Sequence, residues 1–172
     1  MIRLTIGDEQ LKAWIAHARR NGRGNAAMMG EISGVLADDT ETAFAREADP
    51  ATGVPWPKLK PTTAAGRAER GHWPGKILQV SGQLAASVVT EHGDDYARIG
   101  SNKVYAAIHQ LGGTTRPHDI KARNAKALAF AGRLFKKVRH PGSIIPARPW
   151  LGISPAGRRE IGEIVQSYLS PP

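Results

Sequence analysis

The sequence predicts an α+β fold in which helices frame a small antiparallel sheet, interrupted by a long Pro/Trp-rich loop. Three observations carry this. Amphipathic helical periodicity appears near both ends. Short β-rich runs separated by glycine turns crowd the middle. Between residues 49 and 75, Pro50, Pro55, Pro57, Pro61 and Pro74 exclude a long regular element.

In chain order, Met1–Ile6 alternates and reads as a strand, and Asp8 caps a helix running to about Arg20. After a glycine-containing break at 21–25, a second helix reaches about Glu47. Its stripe is Met28, Ile32, Val35, Leu36 and Ala43, with Gly30 and Gly34 weakening it. The Pro/Trp-rich loop, 49–75, holds a short helix near 62–70. A narrow face of Leu78, Ser81, Gly82 and Ala85 predicts a helix over 76–86. Residues 87–92 and 95–100 form a hairpin turning at Gly93-Asp94. Asn102 is placed to cap a helix over 103–111 that ends at Gly112-Gly113. Residues 116–123 read as extended, and 127–131 with 134–139 as a second hairpin across Gly132. Ser154 and Pro155 open a terminal helix with Ile161, Ile164, Val165, Tyr168 and Leu169 on one face. At 172 residues the expectation is one domain, 1–172, divided into 1–48, 49–75, 76–153 and 154–172.

The formal charge is +9, and its placement is uneven. Between Arg116 and Arg148 nine Lys or Arg face Asp119 alone, a net +8. Such a stretch points to an anionic partner, either nucleic acid or an acidic protein surface. The candidate contacts are Arg116, Lys121, Arg123, Lys126, Arg133, Lys136, Lys137 and Arg139. The absence of cysteine excludes disulfides and thiol chemistry. No signal peptide or membrane span is expected, and no membrane partner.

Signals for catalysis are thin. The six histidines show no HExxH and no ligand pair at helical spacing, so no metal or cofactor is expected. Gly22–Ala27 imitates a dinucleotide fingerprint but follows a helix where a strand is required. Carboxylates at Glu91, Asp94 and Asp95 read as solvated turn residues. No enzyme is expected.

Four ordered motifs carry a resemblance. Residues 55–63 (PWPKLKPTT) are similar to a W-x-x-L-x-P-x-T loop, and residues 76–87 to L-x-x-[ST]-G-x-L-x-x-S. The most specific is 105–113 (YAAIHQLGG), which looks like Y-A-x-I-H-Q-x-G-G. Residues 145–152 (IPARPWLG) resemble I-P-A-R-P-F-L-G, with Trp150 for Phe. Together they resemble the phage virion morphogenesis family, which includes tail completion proteins of Mu-like and P2-like phages. The resemblance implies a structural protein that completes the tail or neck and enables head–tail joining, assembled in the host cytoplasm and carried in the virion. It implies other tail and neck proteins as partners and a homo-oligomeric ring, a hexamer if it matches the tail's sixfold symmetry. Packaged DNA would touch the basic segment without sequence preference. The candidate interface residues are Trp56, Trp73, His109, Gln110, Arg148 and Trp150; Arg and Trp are over-represented in binding hot spots. Fold-internal roles for them are the competing reading. The alternative function is a stand-alone nucleic-acid-binding protein using 116–148.

Overall fold

The computed structural model describes Ala16 and residues 25–122, 127–130 and 133–170. The expected N-terminal strand and the helix from Asp8 therefore lie outside the described residues. Helix α1, Ala26–Arg46, opens where Asn25 Oδ1 accepts the backbone N–H groups of Ala27 and Met28. It closes at Glu47, whose left-handed backbone (φ 54°) stops the helix. Its buried positions are Met28, Ser33, Val35, Thr40, Ala43 and Phe44. Ile32 and Leu36, expected on the core stripe, are only half-buried. The face has rotated toward small and polar positions, because the hairpin and the last helix both pack on this one helix.

Helix α2, Pro61–Ala68, sits in the Pro/Trp-rich segment, with Pro61 at its start. The helix expected over 76–86 does not form. Leu78 and Gly82 both have positive φ (61° and 66°), which no α-helix accommodates. The stretch is tied from outside: the Ile77 backbone N–H donates to the Glu47 carboxylate, and the Gln79 side-chain amide Nε2 donates to the Phe44 carbonyl at 2.7 Å. This irregular stretch ends in one 3₁₀ turn, Ala85–Ser87. It lays Ile77 and Leu84 into the core.

Strands β1 (Val88–His92) and β2 (Ala97–Ser101) form the expected hairpin, each about a residue later than the sequence suggests. Helix α3, Ala106–Leu111, is shorter than expected. Asn102 does not cap it, because Lys103 and Val104 are taken up by a turn in which the Lys103 N–H donates to Ser101 Oγ.

The rest of the middle is a succession of antiparallel pairs: β3 (Gly113–Thr114) with β8 (Ile144–Ile145), β4 (His118–Lys121) with β7 (Lys137–His140), and β5 (Leu128–Phe130) with β6 (Arg133–Phe135). The α+β class holds, but among the described residues the strands form four two-stranded ribbons instead of one sheet. The expected strand over 134–139 divides at Lys136. Its first part pairs locally, and its second pairs back to 118–121. Helix α4, Pro155–Leu169, begins as expected, with Ser154 Oγ accepting the Gly157 N–H.

The core gathers Ala43 and Phe44 of α1 with Trp56, Ile77, Leu84, Ala106 and Trp150. Phe44 is its centre. Its ring lies 5.8 Å from Trp56, edge to face, and 5.7 Å from Trp150. α4 packs along α1. There Asp39 accepts the Ser154 N–H at 2.7 Å, joining the two helices at the start of α4.

Candidate functional site

Two features stand out: a knot of buried polar contacts and a basic ribbon rooted in it. The knot begins at the end of α3. Gln110 Oε1 accepts the N–H groups of Trp150 and Leu151, each at 2.9 Å, and its Nε2 donates to the Leu151 carbonyl. One side chain thus completes a short stretch of extended backbone as a neighbouring strand would. The Arg148 N–H donates to the His109 carbonyl at 2.7 Å. From the same segment, Arg148 Nε donates to the Pro57 carbonyl at 2.9 Å, and Nη2 to that of Lys58 at 3.3 Å. Trp56 Nε1 donates back to the Pro149 carbonyl at 2.6 Å. Gly112 has φ 73°, and a Cβ there would come within 2.7 Å of the Ala147 nitrogen, so glycine is what lets the two segments touch.

The electrostatics of the knot are unusual. Arg148 is only 6 % exposed, and among the described residues no carboxylate pairs with it. Burial, and then repulsion from Arg67, pull its pKa below the ordinary guanidinium value. Burial and then Arg148 likewise lower the His109 pKa, favouring neutral imidazole.

The ribbon grows from the knot. Gly113 pairs with Ile145, and from there to His118 opposite His140 both strands advance together. The ladder keeps its register past Pro117 and Pro141. From Gly113 to Lys121 it extends about 30 Å, at a strand's rise per residue. Every residue of β4 is exposed. Strand alternation puts His118, Ile120, Val138 and His140 on one face, where the two imidazoles stack at 4.9 Å. The other face carries Asp119, Lys121, Lys137 and Arg139. Asp119 pairs with Lys137 at 2.8 Å and with Arg139 at 3.3 Å. These two hydrogen-bonded cations, Lys137 foremost, hold its carboxyl below the usual carboxylate range. Lys121 stands directly opposite Lys137, a like-charge pairing that destabilises an isolated ribbon.

Comparison with known proteins fits this arrangement. The model of the phage virion morphogenesis family matches residues 6–170. The chain belongs to this family. It is 38% identical to the putative capsid assembly protein G of Escherichia phage Mu over 139 residues, covering 81% of this chain and 76% of that protein. It is 33% identical to the Mu-like prophage FluMu G protein 1 of Haemophilus influenzae over 142 residues, 81% and 76% of the two chains. The FluMu G protein 2 of the same organism is 29% identical over 144 residues, covering 84% and 78%. No solved structure matches the chain. Membership gives the protein a structural role in assembling the phage particle.

Three of the four motifs that resemble this family meet in the knot: 55–63 through Trp56 and two carbonyls, 105–113 through His109 and Gln110, and 145–152 through Arg148 and Trp150. Trp56 and Trp150 are 4 % and 1 % exposed and pack in the core, while Arg148, at 6 %, reaches only the lining of one recess beside α2. His109 and Gln110 are half-buried, while Trp73, at 38 % exposed, stays at the surface. Of the basic candidates, Arg116, Lys121, Lys136, Lys137 and Arg139 are exposed along the ribbon. Arg123 and Lys126, and the side chain of Arg133, lie outside the described residues. Sequence reading missed Asp39 and Glu47, whose carboxylates serve distant backbone N–H groups; no local pattern marks such residues. Among the described residues no cluster of three His, Asp or Glu is placed to hold a metal, and no helix is long and apolar enough to cross a membrane.

Proposed function

We propose that this protein is a non-enzymatic subunit that completes the phage tail at the neck and enables head–tail joining, acting as a ring of identical copies. One observation supports this above the rest: a basic ribbon held away from the body by a buried knot. A two-stranded ribbon is marginal in water by itself. An exposed one with opposed lysines is suited to gain its stability from a neighbour or an anionic surface. Head-to-tail contacts between copies close a ring when their rotation allows it, and six copies match a sixfold tail. In such a ring the ribbons reach the lumen, where passing DNA meets Lys121, Lys137 and Arg139 through salt-dependent phosphate contact. In this reading the protein is made in the host cytoplasm and ends in the virion at the tail or neck, beside other tail and neck proteins.

A second reading comes from the name of the Mu relative, which places that protein in capsid assembly. Deleting the gene from the phage genome and imaging the lysate by electron microscopy separates the two. DNA-filled heads beside unattached tails, rescued by supplying the protein, are the expected result. Missing or malformed heads favour the capsid reading. Normal infectious particles overturn both.

A further inference from the structure

One cavity in the fold gathers positive charge that none of the described residues neutralises. It measures about 250 Å³ and lies between α2 and the segment leading from β8 into the knot. Lys60, Arg67 and Arg148 line it with His109, and among the described residues no Asp or Glu does. Arg148 is buried there, and its two hydrogen bonds to carbonyl oxygens occupy two of its five N–H donors without cancelling its charge. The Nδ1 atom of His109 is buried and has no hydrogen-bond partner among the described residues. A buried cation without a counter-charge is costly, so an arriving anion removes a penalty as well as adding contacts. The walls are apolar, formed by Leu59, Ile77 and Ile145. The volume lies below the roughly 300–1,000 Å³ of small-molecule sites and suits a side chain.

We propose that this cavity receives an acidic side chain, flanked by apolar neighbours, from an adjacent protein in the assembled particle. The partner class follows from the lining. Cations in the lining, Arg148 buried and Lys60 and Arg67 more exposed, select a carboxylate, and the apolar lining selects the residues beside it. A nucleic-acid phosphate belongs to a wide, hydrated backbone, which the exposed ribbon suits and an apolar-walled recess does not. The identity of the partner rests on the assembly reading, but the chemistry of the site does not.

The test uses the full chain and the peptide acetyl-Leu-Glu-Leu-amide, with the His109 ring signals followed by NMR. The expected result is a saturable shift of those signals. Binding should weaken about tenfold or more for the Gln-containing peptide, as expected for losing a charge-assisted hydrogen bond. Arg67→Gln should weaken the acidic peptide similarly. Arg67 is half-exposed and makes one long bond, 3.4 Å to the Lys76 carbonyl, so its loss leaves the fold standing. An unchanged melting temperature verifies that. Equal binding of both peptides, inorganic phosphate binding as well as the acidic peptide, indifference to Arg67→Gln, or no shift at all overturns the proposal. Each of these leaves the gene-deletion phenotype unaffected, so the two readings fail separately.

Discussion

Gln110 shows how much one amide can decide. Its two acceptor bonds and one donor bond serve the backbone of Trp150 and Leu151, in a part of the chain forty residues away. Gln110→Leu keeps an apolar side chain of comparable reach but leaves two N–H groups and a carbonyl without partners. At about 1–3 kcal/mol for each buried group left unsatisfied, partial hydration of this half-buried site brings the expected loss to about 2–3 kcal/mol. Urea unfolding should show this as a lower midpoint with an unchanged slope. A change below about 0.5 kcal/mol would mean water replaces the amide at no cost. Sequence singled out Gln110, Arg148 and Trp150 as notable, yet it could not separate a buried strut from an interface anchor. The same chemistry, a fork of donors or an indole beside prolines, serves both. The distinction lies in which distant carbonyls come near, and that is a tertiary fact. Trp73, outside the knot and partly exposed, keeps the interface expectation.

At the scale of elements, legibility followed the locality of the forces. Helix α4 was readable to the residue, because Ser154 and Pro155 state its start in adjacent positions. The β1–β2 hairpin was equally plain, since glycine, aspartate and alternation all fall within a dozen residues. The stretch 76–86 was misread because its apparent apolar face is real but serves an irregular path. The Glu47 carboxylate takes the Ile77 N–H, and the Gln79 side chain anchors the stretch to the Phe44 carbonyl, tertiary bonds with no local signal. The ribbon was half-visible. Its turn and basic character could be read, but not the return of 137–140 to 118–121, a pairing that depends on the knot at its base. The local signal at α4 yields its own prediction. Ser154→Ala removes the acceptor of the Gly157 N–H and should cost about 1 kcal/mol. Asp39→Ala should cost at least as much, since a carboxylate near a helix N-terminus is also attracted to the positive end of its dipole. Because Asp39 accepts the Ser154 N–H, the two losses should not add. A double-mutant cycle in thermal or urea unfolding measures this coupling, and strict additivity would show that the two caps act independently.

At the scale of the molecule, the buried knot supplies stability and one cationic recess, and the exposed ribbon supplies the open basic surface. The core of Phe44, Trp56 and Trp150 is tied by the Trp56 indole N–H to the Pro149 carbonyl, while Trp150 Nε1 finds no hydrogen-bond partner among the described residues. Beyond it, Lys121, Lys137 and Arg139 stand on a ribbon that little else supports. Replacing all three with Gln should therefore leave the melting temperature nearly unchanged: solvent-exposed ion pairs such as those to Asp119 are screened and contribute little, and the Lys121–Lys137 repulsion disappears with them. Association with an anionic partner should suffer far more. If that partner is DNA, the purified protein binds duplex without sequence preference. The slope of log affinity against log salt should then fall by about one for each phosphate contact removed, close to three in the triple variant. An acidic protein neighbour predicts something different: weak binding to bulk DNA in both forms, with the triple variant failing to restore infectious particles to the deletion strain. Measuring the salt slope and the rescue on the same variant thus identifies which anion the ribbon meets. A triple variant that rescues fully and binds DNA as the parent does would remove the ribbon's charge from the mechanism altogether, leaving the knot and its cationic cavity as the contacts through which the subunit is built into the particle.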